Sequence, residues 1–323
     1  MVESNKILSR KIGTLDFGLS QTKSQTLKFK PNLLRAIKLD SLIGITVSST
    51  GGTAIQDNPM TLIKAVRIIV AGKTLKSVKG VDLHYSNKIE TGITPYIAGQ
   101  LAGAISAASY VLRLVTTIPF AFDNHYTVFP ETTILNSNAY SDITLEVDFG
   151  ASTDLVSANT VIDSCVTNII AVEREPLSDE DRTTPRPEMV DSTIVQTISA
   201  SNSALQIPLS ERTEIKSLFL RAVSNGARSD TLINNVKLVA NNGSRVEVNL
   251  PFKVLQAINK SFSQIENASG VMDTGIAAIE IDPDGDLSGL FNTMILNNPM
   301  LELDVTYSSG ETYVSIIERK IVS

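Results

Sequence analysis

Carboxylates two residues apart in Asp282-Pro-Asp284-Gly-Asp286 are the most concentrated chance at chemistry in this chain, because oxygens at that spacing can surround a hard cation such as calcium. Read as an EF-hand loop from Asp282, however, the sixth position is Leu287 where a glycine is required, and the twelfth is Thr293 where a glutamate is required. A Pro-Asp-Gly turn accounts for the same residues through backbone geometry. Asp282, Asp284 and Asp286 therefore stand only as weak metal candidates, and no cofactor is expected.

Other routes to catalysis close quickly. The 323 residues include two histidines, His84 and His125, and the second half of the chain has none. A two-domain cupin needs His-x-His with a further His and Glu on neighbouring strands, so that metal chemistry is excluded. Neither histidine lies near a Cys or Ser motif, and both read as surface or turn residues. No G-x-S-x-G, P-loop or G-x-G-x-x-G pattern appears. A lone Cys165 cannot close an intrachain disulfide. The chain is expected to be no enzyme and to take no small-molecule substrate.

Binding remains. With 28 Lys+Arg against 34 Asp+Glu the net charge is −6, without the basic field of a free nucleic-acid-binding domain. The first 30 residues are the exception, where Lys6, Arg10, Lys11, Lys23, Lys28 and Lys30 face only Glu3 and Asp16. Residues 1–23 are expected as a free N-terminal arm whose charges Lys6, Arg10 and Lys11 either meet lipid or nucleic acid, at roughly 1 kcal/mol per charge near an anionic membrane, or stay solvated as a tail. Tyr85, Tyr96, Tyr110, Tyr126 and Tyr140 cluster in the loop-rich part of the first half, but a chain without Trp is poorly supplied with sugar-binding platforms, and packing is their expected role. The opening MVESNKILSRKIGTLDFG lacks the apolar core of a signal peptide, so secretion by that route is not expected. The run PYIAGQLAGAISAASYVL is too rich in Ala, Gly and Ser to supply the transfer energy of a membrane span, and reads as a loop insertion.

The elements that must carry these residues are strands. Ile143-Thr-Leu145-Glu-Val147-Asp-Phe149 alternates apolar and polar at period two, as does Leu301-Glu-Leu303-Asp-Val305-Thr-Tyr307. The two segments align at an offset of 158 through Leu145 and Leu303. Upstream, Ile134-Leu-Asn aligns with Ile295-Leu-Asn at 161, TLIKAVRIIV from Thr61 with TLINNVKLVA from Thr231 at 170, and TLKFKPNLLRAIK with ALQIPLSERTEIK at 178. Offsets that fall in order mark a tandem duplication whose second copy has shorter loops, and a period near 160 makes each copy a domain. One helix sits at the matching point of each copy, around Val81–Ile89 and from Pro251 to Ile265. Between the copies, residues 173–190 hold three prolines and a dense run of charge, a solvated linker in which Ser178 and Asp181 can cap one helical turn. Each half holds about eight short strand candidates, which indicates an all-β chain of two antiparallel sandwiches. The divisions are an arm at 1–23, a first sandwich at 24–172, the linker at 173–190, and a second sandwich with its tail at 191–323.

A tandem pair of eight-stranded sandwiches with a helix at the same point of each, of which TLIKAVRIIVAGKTLKSV is the most familiar stretch, resembles the double jelly-roll major capsid proteins, in particular those of small membrane-containing icosahedral bacteriophages of the corticovirus and finnlakevirus type. The resemblance covers about residues 24–318 and rests on architecture and repetition. It implies a structural protein made in the host cytoplasm and built into the virion shell. Three chains would close into a pseudo-hexameric capsomer that meets neighbouring capsomers and penton or other minor capsid proteins, with the N-terminal arm toward an internal lipid membrane. Calcium-dependent assembly is not carried over, since no unambiguous ion-binding motif is present. The alternative readings are an adhesin or carbohydrate-binding tandem sandwich, and a jelly-roll amidase or glycan hydrolase using paired carboxylates.

Overall fold

Alternating burial along the strands builds the protein. The computed structural model describes residues 6–29, 32–49, 51–122, 131–140, 142–263 and 273–322. The chain divides into two units that change over between Glu188 and Met189, the second also taking Tyr85–Ile93.

In the first half the strands of five residues or more are β1 (Ile7–Asp16), β2 (Thr22–Thr26), β3 (Leu33–Val47), β4 (Ile63–Val70) and β5 (Lys73–Val78), then, after helix α1 (Gly80–Thr91), β6 (Ala108–Pro119), β7 (Ile143–Phe149) and β8 (Thr160–Arg174). They pair in the orders β1-β8-β3-β6 and β2-β7-β4-β5. A short helix α2 (Asp179–Thr183) precedes β9 (Glu188–Thr197), β10 (Asn202–Pro208), β11 (Glu214–Ser224), β12 (Ile233–Ala240) and β13 (Arg245–Pro251). Helix α3 (Phe252–Ser263) is followed by β14 (Ile276–Glu280), β15 (Met300–Val305) and β16 (Tyr313–Val322). Their orders are β9-β16-β11-β14 and β10-β15-β12-β13. Each strand of the first half thus has its counterpart eight strands later, and each helix falls between the fifth and sixth strands of its half. That is two jelly rolls in tandem.

The cores follow from the pleat. Along β7 the alternation is complete, with Ile143, Leu145, Val147 and Phe149 buried and the residues between them at the half-exposed face. In the second unit Leu218, Leu220 and Ile316 of one sheet meet Val236, Leu238, Leu301 and Leu303 of the other, closed at one end by Phe252 and Leu255 of α3. Each such side chain contributes about 1.5–3 kcal/mol on burial. The β4 to β5 hairpin turns on two residues, Ala71 (φ 47°) and Gly72 (φ 80°), the left-handed pair that a tight hairpin needs.

The ladders correct the sequence alignment in a regular way. β4 and β12 correspond at 170, as aligned, and α1 and α3 at 172. Leu145 opposes Ile68 while Leu301 opposes Leu238, so β7 and β15 correspond at 156 rather than 158. Gln25 opposes Leu145 and Ile207 opposes Leu301, which puts β2 and β10 at 182 rather than 178. Both errors are even, because a slip of two residues keeps every side chain on its face and alternation alone cannot detect it.

Three expected segments differ more. The N-terminal arm is largely strand: Ile7–Asp16 pairs antiparallel along β8, and Thr22–Thr26 pairs with β7. Residues 173–190 are no solvated linker. Buried Arg174 binds Glu131 at 2.7 Å and Asp181 at 2.6 Å, and Arg186 binds Asp181 at 2.5 Å. Ser178 caps α2 by accepting the Asp181 amide. The Ala/Gly/Ser run, expected as a loop insertion, gives its last part to β6 beside β3. No helix among the described residues is long and apolar enough to cross a membrane.

Candidate functional site

The acidic cluster sits in the loop after β14. One oxygen from each of Asp282, Asp284 and Asp286 lies within 4.8 Å of the others. Asp282 accepts from the Leu287 amide at 3.3 Å and Asp286 from the Ser288 amide at 2.7 Å, with Gly285 (φ 73°) and Leu287 (φ 66°) left-handed. Burial pushes the Asp282 carboxyl up, while the Ser288 amide holds that of Asp286 down. Two of the three carboxylates are thus engaged with backbone donors of the turn itself.

The basic residues take structural roles. Arg10 binds the buried Glu173 at 3.1 Å, and Asn32 donates to the other oxygen of that carboxylate at 3.4 Å. Lys6 lies 3.9 Å from Glu175, and Lys11 is exposed at its register position opposite Ile170. Of the three expected cations, Arg10 is thus engaged with a buried carboxylate, while Lys6 and Lys11 keep exposed side chains. The physical reason is β1 itself, whose pairing to β8 carries Arg10 to a carboxylate 163 residues away.

His84, expected at a surface or turn, is buried within α1, while His125 lies outside the described residues. Burial raises the Cys165 thiol to about 11, which makes it an inert core group. The tyrosines, apart from Tyr126 outside the described residues, have separate environments. Arg228 lies over Tyr85 at 4.9 Å and Arg113 over Tyr96 at 5.9 Å. Tyr140 donates to Glu188 at 2.6 Å, and burial together with that carboxylate pushes its hydroxyl up to about 12.

What the sequence reading missed is a difference between equivalent surfaces. In the second unit both faces of the central strands β16 and β11 are buried. One carries the apolar core, and the other carries Ser217, Phe219, Arg221, Ser315, Ile317 and Arg319. Arg319, 0% exposed, binds Asp191 at 2.9 Å and Glu90 of α1 at 2.5 Å and lies over Phe219 at 5.2 Å. Lys216 and Glu280 add a second buried pair at 3.4 Å, with burial pushing Glu280 up. In the first unit the corresponding face of β1-β8-β3-β6 is open, with Leu42 51%, Val111 66% and Val166 43% exposed. The helices show the reverse. α1 is buried through His84, Ser86 and Glu90, whereas α3 is amphipathic, with Val254 and Ile258 each 44% exposed. The signal was readable in Glu214–Ser224 and Tyr313–Val322, whose lack of alternation is that of strands covered on both faces.

No family model matches the chain, and no curated protein matches it. Among solved structures, the STIV MCP aligns with a TM-score of 0.77 at 16% identity over 98% of this chain and 97% of that one. The major capsid protein P2 from bacteriophage PM2 aligns with a TM-score of 0.62 at 13% identity, over 98% and 97%. The PBCV-1 virus capsid protein gives 0.62 at 12% identity, over 98% and 95%. At such identities the likeness is one of fold, and the fold shared across the full length of the chain is the double jelly roll.

Proposed function

We propose that this chain is the major structural subunit of an icosahedral viral shell, closing as a threefold trimer into a six-sided capsomer. The observation that carries the reading is likeness to capsid subunits from several viruses along the length of both chains. Duplication supplies the physical logic. Two rolls per chain give a trimer six similar edges, so a threefold block tiles a hexagonal lattice, and differences between the copies mark where neighbours dock. The partners in this reading are neighbouring capsomers and minor proteins at the vertices. Lys6 and Lys11 are the remaining candidates for contact with an internal membrane or nucleic acid, and synthesis would be in the host cytoplasm. A shell of the corticovirus or finnlakevirus type is the specific form proposed from the sequence resemblance.

Electron microscopy of the concentrated protein tests it. Six-sided blocks in ordered arrays or closed shells are expected, and dispersed single chains at every concentration would contradict the reading.

A further inference from the structure

We propose that the exposed stripe of α3, Val254 and Ile258, packs in the trimer on the outer sheet face of a second copy, at Leu42, Val111 and Val166. The inference rests on the trimer reading above and names the surfaces that form it. Val254 and Ile258 are four apart and share one side of the helix. The other side is occupied, since Phe252 and Leu255 enter the core and Asn259 clamps the Ala278 backbone, donating to its carbonyl at 2.8 Å and accepting from its amide at 2.7 Å. On the sheet, Leu42 stands opposite Val166 and Gly44 opposite Val111, so the three apolar side chains form one patch. Contiguous exposed apolar surface of this kind marks an interaction site.

Internal equivalence identifies the occupant. α1 and α3 have the same length and the same place in their rolls, and α1 from Tyr85 on is buried within the second unit. There Glu90 reaches Arg319 on the outer face of β16, and Arg228 covers Tyr85. The segment from Tyr85 to Ile93, part of the second unit, thus lies against the outer face of β16. Its counterpart α3 is bare on one side, and so is the counterpart face on β3, β6 and β8. A second copy brings these two surfaces together by repeating a contact that the sequence already encodes. Exposed Lys253 beside the stripe and exposed Asp163 at the edge of the patch have opposite charge. Helix and sheet are different surfaces, so the contact is head-to-tail and closes as a ring.

Chains with introduced cysteines test the contact. Native Cys165 is 6% exposed and stays silent. A chain carrying Ile258→Cys, mixed with a chain carrying Leu42→Cys and oxidised gently, should give a covalent dimer, and neither variant alone should. A chain carrying both substitutions should give a covalent trimer. Val254→Cys with Val111→Cys provides an independent pair. If the protein sediments as a trimer yet none of these pairs crosslinks between chains, the proposed contact is wrong while the shell reading stands. If it sediments only as a monomer, both fall.

Discussion

Replacing Arg319 by Met should destabilise the second unit severely, because the guanidinium is fully buried and holds two carboxylates. Its distances are 2.5 Å to Glu90 and 2.9 Å to Asp191, and Phe219 stacks beneath it at 5.2 Å. Met keeps much of the apolar length, so the loss is mainly electrostatic. Removing one partner of a buried ion pair costs about 3–5 kcal/mol. For a folded unit of this size each kcal/mol moves the melting temperature by about 2–4 °C, giving a fall of roughly 6–20 °C. Calorimetry at neutral pH reads this directly. The triple variant Arg319→Met, Glu90→Leu, Asp191→Leu removes the stranded carboxylates and should recover most of the loss. A single variant within about 0.5 kcal/mol of the parent, or a triple variant as unstable as the single, would refute the assignment.

Arg67 binds Glu146 at 2.8 Å and Asp148 at 2.7 Å, and its guanidinium holds the Asp148 carboxyl low. A depressed folded pKa contributes stability that is present above the unfolded pKa and lost as pH falls through the folded one. Arg67→Ala should therefore cost about 1 kcal/mol near neutrality, with a shallower loss of stability below about pH 4, as followed by urea unfolding. Asp282 has the opposite sign: its carboxyl is raised by burial, so its ionised form opposes folding at neutral pH. Asp282→Asn should melt at the same or a higher temperature, whereas a drop seen only in calcium would show that the loop holds a cation. Gly275 (φ 72°) leaves no room, since a Cβ there would meet the Ala222 carbonyl oxygen at 2.6 Å and the Ser229 amide at 2.8 Å, while one at Gly243 (φ 85°) meets nothing within 4 Å. Gly275→Ala should cost about 1–3 kcal/mol more than Gly243→Ala by chemical denaturation. Cys165 should resist a thiol reagent in the native protein and react at once in denaturant; rapid native labelling would contradict its burial.

The jelly rolls were legible because β7 and β15 alternate cleanly and the two halves keep their order. Register was not legible, since slips of two or four residues preserve the pattern. The N-terminal strand reads as an arm because Arg10 and Lys11 suggest solvent, and the carboxylate that receives Arg10 lies 163 residues away. α1 carries Asp82, His84, Asn87, Lys88 and Glu90 with no apolar stripe, yet all are buried. Its cover includes groups such as Arg319, 229 residues distant from Glu90, that no local pattern announces. The open face around Leu42 was hidden for a related reason. Residues 38–46 alternate as a one-sided strand does, and only its buried counterpart β11 shows that the same face is covered elsewhere.

Sedimentation equilibrium of the intact chain over a wide concentration range tests the central claim most directly. A shell-forming double jelly roll should yield a stable particle of three times the 34.8 kDa chain mass. A single 34.8 kDa species at every concentration would contradict it.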